Sequence, residues 1–195
     1  MNEPAGYVEP QRLFACFGGA IGQEACERML DTDRLKPRLS ALLLEKHQLN
    51  AGSFRLEDEI EEADRIVALS SPDELDDLAL QAGAVYWSDS FAGTILKSVI
   101  ATLQEEIGEA LYAFAVANRD LSGPVRPLVP LEGIRERIFA DGWHCLGAWC
   151  HDLPAEVGTR VRLKLPPDDV IDQAPDPAFA HLGAAIIRRV AGVAA

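Results

Sequence analysis

The chain has 195 residues, 48% hydrophobic and 25% charged, the make-up of an ordinary globular protein folded as one domain whose core needs neither disulfides nor a metal. Against 18 basic residues stand 31 acidic ones, a formal net charge of -13. Such a surface repels phosphate backbones and anionic headgroups, which argues against nucleic acid and membrane surfaces and leaves a basic protein partner as the easier fit.

The opening stretch, MNEPAGYVEPQ, has no basic n-region and no apolar h-region, so it is not a secretory signal. No run reaches the ~18 apolar residues of a membrane span, and Arg188 and Arg189 interrupt the nearest one, HLGAAIIRRVAGVAA. A cytoplasmic chain without membrane insertion is expected, with its four cysteines as reduced thiols. In CFGGAIGQE, Gly18, Gly19 and Gly22 precede no Gly-Lys-Ser/Thr and follow no strand, so a loop between helices is expected there rather than a phosphate cradle.

Helices follow in succession. RLKPRLSALLLEKHQL places Leu39, Leu42, Leu43 and Leu49 on one side, with Pro37 near its start. RLEDEIEEADRIVAL gathers Glu57, Asp58, Glu59, Glu61, Glu62 and Asp64, either a solvated helix face or an acidic docking face for a basic partner. In SSPDELDDLALQAGA, Ser71, Pro72 and Glu74 form a capping-box start, Leu75, Leu78 and Leu80 face inward, and Gly83 is placed to end the helix. YWSDSF, with Ser88, Asp89 and Ser90, lacks a nucleophile motif and reads as a cap or polar turn.

Further on, Ile95, Leu96, Val99, Ile100 and Leu103 keep helical spacing, and Ile107, Leu111, Phe114 and Ala115 continue it. Gly123, Pro124, Pro127 and Pro130 make residues 121–130 an internal loop. A long helix follows over LEGIRERIFADGWHCLGAW, then a shorter one from Pro154 to Pro166, a second internal loop over 166–177, and a C-terminal helix. TRVRLKL is the single strand candidate, so the fold class is all-α, a compact multi-helix domain.

WHCLGAWCHDLP brings His144, Cys145, Cys150 and His151 together in sequence, the ligand types of zinc. On one helix, however, His144 and His151 stand ~10 Å apart along the axis, and Cys145 and Cys150 point roughly 140° apart. Ligands that each bond zinc at ~2 Å cannot sit so. A loop opened by Gly142 and Gly147 would be needed, and no second Cys pair follows; Cys16 and Cys26 are too far apart to serve. The helical reading aligns Phe139, Trp143, Leu146, Cys150 and Leu153 in one apolar stripe and Ile134, Ile138, Cys145 and Trp149 in its neighbour. No catalytic motif, metal or cofactor is expected. A small metal- or thiol-dependent enzyme built on the four ligands, or a helical secretion chaperone, are the alternatives.

Three segments carry a resemblance: IGEALYAFAV, DGWHCLGAW and LPAEVGTRVRLKLP. Their order resembles that in the SctK family of type III secretion sorting-platform proteins, the Yop translocation protein K (YscK-like) family. The positions are Gly108, Glu109, Tyr112, Phe114 and Ala115; Gly142, Trp143 and Leu146; and Leu153, Pro154, Arg160, Arg162, Lys164, Leu165 and Pro166. LSSPDELDDLALQAGA is similar to the family's central segment. The resemblance covers roughly residues 65–190, while residues 1–33 form a divergent N-terminal segment. It implies a non-enzymatic cytoplasmic adaptor, peripheral to the inner membrane, that links the cytoplasmic domain of the ring protein SctD to the pod protein SctQ. On so acidic a chain Arg160, Arg162 and Lys164 stand out, either as contacts for an acidic partner or as balance for Asp152, Glu156, Asp168 and Asp169.

Overall fold

The N-terminal part of the chain packs around a small core, which Leu163 joins from far along the sequence. In this computed structural model, which describes residues 1–50 and 54–194, a 3-10 turn at Pro4–Gly6 leads into α1 (Pro10–Cys16), α2 (Gln23–Leu30) and α3 (Lys36–Lys46). Pro10 and Pro37 sit in first turns, where a missing N–H leaves no bond unmade. Gly18 and Gly19, both at positive φ, turn the chain between α1 and α2, so CFGGAIGQE is the expected loop. Ala5, Val8, Leu13, Cys26, Leu39 and Leu43 bury one another together with Leu163 from far along the chain.

The acidic stretch makes two helices instead of one, α4 (Leu56–Glu59) and α5 (Glu62–Leu69), because the backbone at Ile60 is extended. Glu59, Glu61 and Glu62 are exposed, whereas Asp64 is buried; the side chains of Glu57 and Asp58 lie outside the described residues. Asp64 accepts from Trp149 Nε1 at 2.8 Å and from Arg188 Nε at 2.8 Å and a terminal guanidinium nitrogen at 3.0 Å. It belongs to the interior, and the expected solvated or docking face ends before it.

Next comes α6 (Pro72–Tyr86), begun by the predicted capping box: Ser71 Oγ accepts from Glu74 N at 3.3 Å, and Ser71 N donates to the Glu74 carboxylate at 2.7 Å. Gly83 does not end this helix. It lies where α6 crosses α10 (Ile134–Asp152), and a Cβ there would enter the Ile138 carbonyl. Gly142 faces it across the crossing, and a Cβ on Gly142 would enter the Ala79 carbonyl. The two glycines let the backbones touch, which no larger residue permits.

After α6 come α7 (Ser88–Ala92), α8 (Lys97–Ile107) and α9 (Glu109–Ala117). YWSDSF is therefore helical, with Ser88 and Ser90 buried, rather than a polar turn. Ile95 and Leu96 precede α8 and are exposed, Ile95 to 90%, so the predicted stripe begins only at Val99. Gly108, at φ 89°, breaks the predicted run into α8 and α9. The proline-rich connector then reaches α10. Arg126 holds it down, its guanidinium 5.4 to 5.9 Å from the ring centroids of Tyr86, Trp87 and Phe179 and 3.2 Å from the Asp141 carboxylate.

The chain ends with α11 (Ala155–Arg162), α12 (Asp169–Asp172), α13 (Pro177–Ala180) and α14 (Gly183–Ala194). TRVRLKL is helix and turn, and the architecture is all-α: among the described residues no strand occurs. Val157, Val161 and Leu165 recur every four residues, a spacing that satisfies a period of two and a helix alike, and burial against α10 selects the helix. The 166–177 loop contains α12, whose Asp168 cap accepts from Val170 N at 2.8 Å. At the centre α6, α10 and α14 pack on one another, and the other C-terminal elements lean on this trio. Among the described residues no helix is long and apolar enough to cross a membrane.

Candidate functional site

The four thiol and imidazole residues all lie on α10 and face different ways. Cys145 and Cys150 are buried, His144 stacks on Phe179 with centroids 4.7 Å apart, and His151 is exposed. Burial pushes the Cys150 thiol up to about 12 and raises Cys145 too, with Asp141 adding to that rise. Both are protonated thiols packed as small hydrophobes. Among the described residues no three His, Cys, Asp or Glu side chains gather in a metal-holding group. Along α10, Ile134, Ile138, Cys145, Leu146 and Trp149 are fully buried, whereas Phe139 and Trp143 are only partly covered and meet edge to face at 6.2 Å.

The basic trio is internal for two of its three members. Arg160 is 0% exposed and donates to Met1 O at 2.9 Å, Asn50 O at 2.8 Å and the Glu156 carboxylate at 2.7 Å, with its guanidinium 4.4 Å from the centroid of Phe54. Burial raises the Glu156 carboxyl, but hydrogen bonds from Arg160 and Asn50 outweigh it and bring the pKa below its ordinary value. Lys164 is 6% exposed and donates to Ala68 O at 2.7 Å and Ser70 O at 2.8 Å, and burial lowers its pKa. These two cations tie the end of α11 to the N-terminal segment and to the α5–α6 turn. They do not offer charge to a partner, as the sequence reading allowed. Among the described residues, Glu156 is the one of the balancing carboxylates considered for them that pairs, with Arg160. Arg162 is partly exposed and donates to Thr159 Oγ1 at 3.0 Å.

Lys164 also lines a hollow of about 670 Å³ beside Tyr7, Leu30, Leu69 and Ser71, where its ammonium is held by the Ala68 and Ser70 carbonyls.

The motif positions fall at packing joints. Tyr112 stacks on Phe91 with centroids 5.5 Å apart, and Gly142 sits at the crossing of α6 and α10. Leu153 is buried in the turn from α10 to α11, which Pro154 begins. The Leu165 carbonyl accepts from Arg12 Nε at 2.5 Å and the Pro166 carbonyl from another guanidinium nitrogen of Arg12 at 3.0 Å, so the divergent N-terminal segment is hooked onto the last motif. Gly108 and Glu109 remain exposed, Phe114 is partly so, and Ala115 is buried.

Sequence reasoning missed the Asp64, Trp149 and Arg188 network. Its only local signal is an acid at a position, four residues before Ala68 and three before Val67, that shares the buried face of α5. Arg188 extends the network to Asp152 at 2.7 Å.

The chain is 29% identical over 190 residues to nodulation protein NolU of Rhizobium fredii and to NolU of Sinorhizobium fredii (strain NBRC 101917 / NGR234). Each match covers 94% of this chain and 80% of the relative. No protein-family model and no solved structure matches the chain.

Proposed function

We propose that the protein is a non-enzymatic cytoplasmic adaptor of a type III secretion sorting platform, linking the cytoplasmic domain of the ring protein SctD to the pod protein SctQ. The observation that carries this reading is the ordered succession of motif segments between residues 65 and 190, which are successive packed elements here: α9, α10, the turn at Pro154 and the end of α11. The likeness to the NolU proteins runs along nearly the whole chain, so the motif segments and the N-terminal segment belong to one shared unit. Their name connects them with nodulation; the secretion role comes from the motifs alone. Rigid helical faces, not a reaction centre, would then do the work, with large half-covered aromatics such as Trp143 as natural anchors. No Arg160 or Lys164 contact enters the mechanism, because both charges are satisfied inside.

The test is co-purification of the intact chain with SctQ and with the cytoplasmic domain of SctD from the same genome. Binding of either at micromolar concentration is expected. Failure of both across low and moderate salt removes the adaptor assignment.

A further inference from the structure

The helix α9 is apolar on every side, with Ala110, Leu111, Tyr112, Ala113, Phe114, Ala115, Val116 and Ala117 in succession, yet only Ala115 is fully buried. A helix that is hydrophobic all round belongs in an interior, so this one lacks cover. Beside it are two adjoining hollows that share Asp77 and Leu80 of α6. One, about 310 Å³, is walled by Arg135, Glu136 and Phe139 of α10; the other, about 500 Å³, by Ala110, Leu111 and Phe114 of α9.

The charge around these hollows is acid in excess. Asp76 and Asp77 are exposed on α6, Asp73 stands one turn before them, and Glu136 and Arg135 close the far side. Arg135 is directed at the Glu106 carbonyl, 2.6 Å away. Among the described residues, none of Asp73, Asp76, Asp77 and Glu136 forms an ion pair. Burial, and then repulsion from Asp73 and Asp77, raises the Asp76 carboxyl above its usual pKa. A cation placed there would relieve that repulsion.

We propose that this double hollow on α6, α9 and α10 is the docking site for a basic amphipathic helix of a partner protein. One large apolar side chain fills each hollow, and Lys or Arg of the partner lies against Asp76 and Asp77. Hollows on the two sides of one helix are separated by about a helix diameter, ~10 Å, which side chains seven positions apart on a partner helix span at ~1.5 Å per residue. The sign of the charge selects the partner: an acidic helix would add to the repulsion, and an anionic membrane or nucleic acid would be repelled by the whole chain. The proposal stands without the secretion assignment, and its test uses neither secretion protein.

The probe is a fluorescein-labelled Leu/Lys amphipathic helical peptide of about 18 residues, roughly five turns, titrated with the full chain and read by anisotropy. Binding that weakens steeply with added salt is expected. Leu80→Glu should weaken it at least tenfold and the pair Asp76→Lys with Asp77→Lys several-fold, while Glu24→Lys with Glu27→Lys on α2, which lines neither hollow, leaves it unchanged. The two aspartates are exposed, so their variant keeps the test alive where Leu80→Glu fails to fold. No binding, or equal binding by all variants, overturns the proposal. So does self-association of the chain that Leu80→Glu abolishes, since the occupant would then be a second copy.

Discussion

The two sides of α6 are finished differently. At its crossing with α10 and toward α14 the helix is closed to backbone contact: Gly83 and Gly142 meet, and Leu75, Ala79 and Ala82 are fully buried. On its outer side, toward α9 and the start of α10, the same helix shows Leu80 half covered beside Asp76 and Asp77, neither of which forms an ion pair among the described residues. Polar groups separate in the same way. The buried ones, Arg160, Lys164 and Asp64, are held by partners, whereas Asp73, Asp76 and Asp77 are left to solvent. The difference teaches that this fold ties its buried charges to partners of its own and leaves an acidic, apolar side incomplete.

The largest way to break that contrast is Arg160→Ala. It leaves the Met1 and Asn50 carbonyls without their donor and removes a fully buried side chain, while Asn50 still donates to Glu156, so a loss of about 3–5 kcal/mol is expected in urea unfolding. A leucine pair on α6 tests the closed and open sides directly. Leu75→Ala removes a fully buried side chain and should lose about 2–5 kcal/mol, whereas Leu80→Ala should lose about 1 kcal/mol or less. Equal losses would mean that the α9 side is as closed as the α10 side. Gly142→Ala forces the α6–α10 crossing apart and should lose about 1–3 kcal/mol, read as a lower melting temperature with retained helicity.

Asp76→Asn should act in the opposite sense. The folded-state pKa of Asp76 is raised, so the native chain binds this proton more tightly than the unfolded chain does, and ionising it as pH rises lowers stability. The variant should therefore be more stable at neutral pH by a few tenths of a kcal/mol after solvent screening, and the gain should vanish below about pH 3, where both forms are neutral. The smallest effect is an absence of reaction. With thiols raised by burial, Cys145 and Cys150 should remain unmodified by Ellman's reagent near neutral pH in the folded chain and react once urea unfolds it.

Much of the fold was legible locally. The Ser71 capping box, the glycine turn at Gly18 and Gly19, the proline connector and the stripe of Ile134, Ile138, Cys145 and Trp149 on α10 depend on residues within a few positions of one another, and all are present, while the neighbouring stripe is buried from Leu146 on and only partly covered at Phe139 and Trp143. What failed depended on distant partners. Gly83 looks like a helix end because glycine often is one, but α10 crosses there. Asp64 looks like one more surface acid, but Trp149 and Arg188 reach it from 85 and 124 residues away. Arg160 and Lys164 look free because their acceptors are mostly backbone carbonyls at residues 1, 50, 68 and 70, which no side-chain pattern reveals. Leu80 keeps the spacing of a core residue, and only the gap between α9 and α10 leaves it half covered.

By itself the sequence determined the helical class, the divergence of the zinc-type ligands along one helix, and the acidic character of the surface. Periodicity, capping and net charge are properties of neighbouring residues or of the whole composition. Tertiary structure alone decided which charges are internal, which glycines are crossings, and which apolar helix is left uncovered. Each of those depends on what another part of the chain brings to the same place.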